Sequence, residues 1–143
     1  MPTREQPIGL KIKQINTVFE KDFNQMLKSI GITSSQCAVL DFLFQTRLDE
    51  VSQRDIEKHL SLKNPTVTGL LKRMDEKGFI LCVQSTSDKR KKVIHLTEKA
   101  YDIQRKMDNY RKKMDKILTR GMTTKEVQSL KKQLEKVMNN IAY

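Results

Sequence analysis

Two neighbouring groups of residues have the types and spacing to do chemistry, and both suit binding a polyanion. The first is Asn64-Pro65-Thr66-Val67-Thr68-Gly69-Leu70-Leu71-Lys72-Arg73-Met74. Val67, Leu70, Leu71 and Met74 recur at helical spacing, so turning them inward leaves Pro65, Thr66, Thr68, Gly69, Lys72 and Arg73 outward. That outward face is small at its start and cationic further along. Small residues let a helix N-terminus enter a major groove closely, where its free N–H groups can meet a phosphate. Thr66 and Thr68 offer hydroxyls and methyls to base edges, and Lys72 and Arg73 reach the flanking backbone or a guanine edge. The second group is the polar, basic run from Gln84 to Lys92, which holds Ser87, Asp88, Lys89 and Arg90. An arginine carried on such a loop fits a narrow minor groove, where negative potential is strongest. An exposed Thr or Lys alone means little; a small, cationic helix face followed at once by a basic loop is the signal.

Catalytic and metal-binding patterns are missing. The sequence has no Gly-rich phosphate loop, no CxxC pair and no HExxH or other metal-spaced cluster. His59 and His95 fall on different elements near apolar residues, which predicts partly buried structural side chains. Cys37 and Cys82 are far apart in apolar stretches, which predicts reduced core thiols. The expectation is therefore a protein that is not an enzyme, with no catalytic residue, no metal and no cofactor. Asp41 interrupts the longest apolar run, Cys37 to Phe44, far short of the ~18–20 residues of a membrane span. The opening Met1-Pro2-Thr3-Arg4-Glu5 lacks the apolar stretch of a signal peptide. A cytoplasmic protein without a membrane partner is expected.

Charge placement agrees with the binding reading. The 143 residues carry a formal net charge of +11. Met1 to Leu62 holds eight basic and eight acidic residues, whereas Lys63 to Thr97 holds eight basic against three acidic, net +5. Glu98 to the end adds twelve basic against six acidic, net +6, but there the signs alternate along helices, as on a solvated face. A basic excess focused on a short segment favours phosphate, because neutralising phosphates releases condensed counterions.

The elements that must position these groups follow from period and caps. Ile8, Ile12, Ile15, Phe19, Phe23, Met26 and Ile30 make one face of a first helix that stops at Gly31. Thr33-Ser34-Ser35-Gln36 has the form of a capping box and opens a helix, apolar nearly all round, that should be central and buried. Ser52-Gln53-Arg54-Asp55 starts a short helix; Asn64 is a good N-cap and Pro65 suits the first helical position of the next. Two short helices joined by Ser61-Leu62-Lys63 have helix-turn-helix spacing. Beyond Gly78 the period alternates, with Phe79, Leu81 and Val83 facing one way and Ile80 and Cys82 the other; with Val93 to Leu96 this predicts a β-hairpin around the basic loop. Thr97 caps a long helix broken by Gly121, and Thr123-Thr124-Lys125-Glu126 opens a last one. The first and last helices present apolar seams around a small central unit, an arrangement that pairs with a second copy.

The stretch Lys63 to Ile80 resembles the recognition helix and following strand of the MarR family of bacterial winged helix-turn-helix regulators. Asp88-Lys89-Arg90 matches that family's Asp-x-Arg wing signature, followed by Val93-Ile94-His95-Leu96-Thr97, and Ile32 to Leu40 resembles its "LT..Q..VL" helix. The resemblance implies a mainly α fold with a small β-hairpin: a winged helix-turn-helix core at 32–97 and dimerisation helices at 1–31 and 98–143, all in a single unit 1–143. It implies a homodimer on a double-stranded, pseudo-palindromic DNA operator, acting as a transcriptional repressor. The wing Asp88 would orient Arg90, and Ser52 and Gln53 match positions that touch phosphate. A small phenolic or anionic effector would act between the dimerisation and DNA-binding parts. No Cys occurs in the first 36 residues and the two His are separated, so peroxide- and zinc-sensing branches fit poorly. The alternative is a winged-helix module for protein–protein association without sequence-specific DNA binding.

Overall fold

Side chains that satisfy free backbone N–H groups set where several of the helices begin. In the computed structural model, which describes residues 4–142, α1 spans Ile8–Ser29, α2 Ser34–Gln45, α3 Gln53–Leu60 and α4 Asn64–Glu76. Strands β1 (Ile80–Gln84) and β2 (Lys92–Leu96) follow, then α5 (Glu98–Leu118) and α6 (Thr124–Ile141). The expected unit 1–143 takes in residues 1–3 and 143, which lie outside the described residues. Thr33, Ser52 and Thr123 open α2, α3 and α6. Each accepts from the N–H three residues on, while Gln36, Asp55 or Glu126 accepts from the capping residue's own N–H. The architecture is mainly helical with one antiparallel hairpin.

The chain divides into two compact units, one through Lys106 and one from Met107, with α5 beginning in the first and ending in the second. In the first unit α2 buries five of its twelve residues. Val39 and Leu40 are fully buried, together with Ile56 of α3, Val67 and Met74 of α4, and Ile80 of β1. Gln36 is also buried, which its role in the capping box permits, since its carbonyl accepts the Thr33 N–H at 3.1 Å. The hairpin pairs Ile80 with Leu96, Cys82 with Ile94 and Gln84 with Lys92. On the other edge of β2, the Ile94 N–H donates to the Val51 carbonyl at 2.8 Å, tying the α2–α3 connection to the hairpin. Gly78, at φ +80°, ends α4: its own N–H and that of Phe79 donate back to Asp75 and Met74, a reversal that glycine makes without Cβ strain.

Three expectations need correction. The alternation assigned to β1 fails: Ile80 is buried, but Leu81, Cys82 and Val83 are all exposed. Alternation requires one sheet face covered along its length, and beyond Ile80 the side chains of this strand are exposed on both faces. Cys82 is accordingly an exposed thiol, while Cys37 is the buried one. His59 and His95 are exposed, so neither is a partly buried structural histidine; His59 stacks on Phe42 of α2 at 4.4 Å between ring centroids.

The outer helices contrast with this core. In α1 only Leu27 is buried, and it is not a member of the Ile8–Ile30 stripe, whose Ile8, Ile12 and Ile15 are exposed. In the second unit α6 buries nothing: Leu130, Leu134, Met138 and Ile141 are exposed.

Candidate nucleic-acid interface

Helix α4 places its apolar stripe as the spacing dictates. Val67, Leu70, Leu71 and Met74 are buried, Pro65, Thr66, Thr68, Lys72 and Arg73 are exposed, and Gly69 is half-buried. The Arg73 guanidinium lies back over Gly69, so that a Cβ there would sit 3.9 Å from Nη1. The turn from α3 to α4 is made by Ser61, whose φ of +52° is left-handed, and by the Leu62 N–H donating to the Glu57 carbonyl at 3.0 Å.

Asn64 is not the N-cap of α4. It is the first helical residue; Lys63 occupies the cap position with no side-chain bond, and Pro65 falls one place later than expected. The Asn64 amide instead donates to Glu57 Oε2 at 3.4 Å, because α3 packs close enough to offer a carboxylate. Gln53 adds a second tie across the two helices, its Nε2 donating to Thr68 Oγ1 at 2.8 Å and to the Asn64 carbonyl at 3.3 Å.

The loop at 85–91 is anchored at its base. Ser85 is buried, with its Oγ 3.0 and 3.1 Å from the two Glu50 carboxylate oxygens, and it accepts the Ser87 and Asp88 N–H groups. Gln84 adds a bond from its amide to the Lys89 carbonyl. At the tip, Asp88 Oδ1 accepts the Arg90 backbone N–H at 3.0 Å and lies 3.5 Å from its Nε. The Arg90 side chain is 93% exposed, so this ion pair adds little stability but biases where the guanidinium starts from. Ser87 and Lys89 are exposed on the same loop.

Between the α3 and α4 N-termini and this loop lies an open cleft of about 740 Å³. Of the residues expected from sequence, Ser52, Gln53, Asn64, Asp88 and Arg90 line it, together with Arg54, Glu57, Lys91 and Lys92. Pro65, Thr66, Thr68, Gly69, Lys72 and Arg73 are not part of its lining and lie along α4 outside it. Four cations against two carboxylates give the cleft a positive field, which low-dielectric walls concentrate. Asp55, at the head of α3, is held below the usual carboxylate range: the Ser52 N–H donates to it, partial burial opposes this, and the Ser52 hydroxyl and the Lys91 and Lys58 charges add to it.

Sequence reasoning did not single out Arg54, Ser85 or Glu50, and it read Lys91 and Lys92 only as loop charge beside Arg90. The three cations were visible as charge, but their convergence depends on the hairpin folding back toward α3. No local spacing could couple Glu50 to Ser85, which stand 35 residues apart. Charge counting also overstated the interface. Lys77 Nζ donates to the Gly31 carbonyl and to Gln36 Oε1, so this cation secures the core rather than facing the cleft. Among the described residues no group of three or more His, Cys, Asp or Glu is placed to hold a metal ion, and no helix is long and apolar enough to cross a membrane.

The MarR family model matches residues 32–92, the stretch that contains α2, α3, α4, β1 and the loop. Over this segment the chain is similar to the MarR family. Solved structures share the fold over a longer span. The chain is similar to a point mutant of S. aureus MepR at a TM-score of 0.83, with 24% identity over 96% of this chain and 100% of that one. It is also similar to a second S. aureus MepR mutant, bound to oligodeoxyribonucleotide, at a TM-score of 0.73 and 25% identity, covering 96% of this chain and 100% of that one. The transcription regulator MarR from Oenococcus oeni PSU-1 matches at a TM-score of 0.63 and 29% identity, over 93% and 99% of the two chains. The winged-helix fold of these MarR-family structures is the fold of this chain.

Proposed function

We propose that this protein is a DNA-binding transcription regulator. The observation that carries the reading is the cationic cleft beside an exposed, small-to-basic α4 face, within a segment similar to the MarR family. The S. aureus MepR mutant bound to oligodeoxyribonucleotide supports DNA as the partner. In this reading α4 enters a major groove through Asn64, Pro65, Thr66, Thr68 and Gly69, with Lys72 and Arg73 on the flanking backbone. Ser52 and Gln53 lie against phosphate at the head of α3, where the Gln53 backbone N–H meets it while the Gln53 side-chain amide is held by Asn64 and Thr68. Arg90, flanked by Ser87, Asp88 and Lys89, enters the adjacent minor groove.

Residues 1–31 and 98–143 form the dimerisation region around the 32–97 DNA-binding core, and the exposed apolar side chains of α1 and α6 support that division. Two copies then present their α4 helices to half-sites about one helical turn apart, roughly 34–36 Å, on a pseudo-palindrome. The protein acts in the cytoplasm as a repressor, and a small phenolic or anionic effector releases it by binding one spacing of the two helices better than the other. The protein is not an enzyme in this reading.

Selection of bound fragments from random DNA tests the proposal. Enrichment of a palindrome with that spacing is the expected result. Affinity should also fall by about 10³–10⁵-fold between 50 and 200 mM salt for a dimer making roughly 6–10 phosphate contacts. Absence of any enriched sequence, with heparin competing all binding away, would instead favour a protein–protein module.

A further inference from the structure

Gln53 ties α3 to α4 in a way that fixes the direction of a hydrogen bond. Its Nε2 donates to the Asn64 carbonyl at 3.3 Å and to Thr68 Oγ1 at 2.8 Å. A backbone carbonyl can only accept, so the Asn64 contact requires the nitrogen end of the amide to face α4. Both amide protons are then committed, and the Thr68 oxygen is an acceptor from Gln53. A hydroxyl has one proton and two lone pairs. With one lone pair taken by Gln53, the proton must find its acceptor elsewhere. The Asn64 carbonyl, four residues back along α4, is the usual local acceptor for a helical Thr, but it already receives Gln53 as well as its helical partner. Thr68 is exposed, which leaves solvent or a bound ligand as the acceptor for its proton.

We propose that Gln53 is a positioning residue for base selection: by donating to Thr68 it commits the Thr68 hydroxyl to donate in turn, so that Thr68 selects a base edge presenting an acceptor. This rests on the DNA-binding reading above and deepens it. In the major groove the acceptors are purine N7, guanine O6 and thymine O4, whereas cytosine N4 and adenine N6 are donors. A threonine left to itself tolerates either kind of edge, because its hydroxyl can turn. Held by Gln53 it discriminates at one base pair in each half-site.

The test is bound-fragment selection from random DNA with the full chain, comparing wild type with variants at the two positions and checking each for an unchanged thermal midpoint. Thr68→Val locates the base pair that Thr68 reads. Gln53→Met, which keeps length but removes the donor, is expected to relax the same base pair by about 3- to 10-fold, the size of one neutral hydrogen bond. The double variant should relax it no further, because the two residues act through one bond. Gln53→Glu, whose carboxylate can only accept, should draw the Thr68 proton inward and move the preference toward an amino-bearing base. Thr68→Ser should keep the wild-type preference. The inference is overturned if Gln53→Met weakens binding equally on all sequences while the base pair sensitive to Thr68→Val keeps its preference. A wild type that enriches no sequence overturns the DNA-binding reading itself, and this inference with it, so the two failures are distinguishable.

Discussion

Helix α2, apolar nearly all round, and helix α6, apolar along a single stripe, meet opposite fates. In twelve residues α2 buries Cys37, Val39, Leu40 and Leu43 as well as Gln36, while the eighteen residues of α6 bury none. An apolar stripe therefore states that a face needs covering, not what covers it. An isolated helix of this length is marginal in water, because most helical stability in proteins comes from packing an apolar face. Leu130, Leu134, Met138 and Ile141 on α6, like Ile8, Ile12 and Ile15 on α1, are exposed at a spacing that makes continuous patches, and contiguous patches rather than scattered residues signal a partner.

The largest effect is expected where that contrast is attacked directly. Leu134→Glu combined with Ile141→Glu should abolish self-association in sedimentation and lower operator affinity by about 10²–10⁴-fold, since the second half-site is then no longer held at high effective concentration. The unfolding profile of the first unit should stay close to wild type. Leu40→Ala should do the reverse: a cost of about 2–5 kcal/mol in urea unfolding, typical of a cavity in a packed core, with the oligomeric state of the folded fraction retained. If both variants lowered stability and association alike, the division between an internally packed centre and externally covered arms would fail.

How much of this was legible in the sequence depended on whether the cause was local. Capping boxes at Thr33, Ser52 and Thr123 are spelled out within four residues, and those helices begin as the sequence indicates. The inward stripe of α4 was equally readable, because helical period alone decides it. What failed needed a neighbour. Asn64 is a good cap by type, but Glu57 from the preceding helix takes its amide. Leu81 and Val83 alternate like residues of a half-buried strand, yet a two-stranded hairpin has too little cover beyond Ile80 to bury them. For the site, residue types on α4 and the loop were visible, whereas the convergence of Arg54, Lys91 and Lys92 on one cleft follows from tertiary packing.

A smaller effect separates the α4 face from the loop within the cationic region. Arg90→Ala should weaken binding on all sequences and reduce the slope of log affinity against log salt by about one, because its side chain contributes charge rather than a base-specific pair. Thr66→Ala should leave the slope alone and change which sequence is enriched. Gel-shift titrations at several salt concentrations read both. An Arg90→Ala protein with wild-type affinity and slope would count against the loop as a minor-groove element.

The smallest expected effect lies at the head of α3, where the core and the cationic cleft meet. Asp55 is depressed below its ordinary 3.8, first through the Ser52 N–H, against the opposing pull of partial burial, and then through the Ser52 hydroxyl and the Lys91 and Lys58 charges. A carboxylate whose folded value lies below its unfolded one stabilises the fold above the unfolded value, and that contribution is lost as pH falls through the folded one. The urea midpoint of wild type relative to Asp55→Asn should thus be flat above 3.8 and shrink below it. Salt distinguishes the causes. Screening weakens the lysine contributions across solvent but leaves the two Ser52 bonds, at 2.8 and 3.0 Å, in place. An NMR titration of Asp55 at high ionic strength should therefore still find it below 3.8. Return to the ordinary value there would mean that the cap is not what holds the carboxylate, and that the start of α3 depends instead on the basic loop across the cleft.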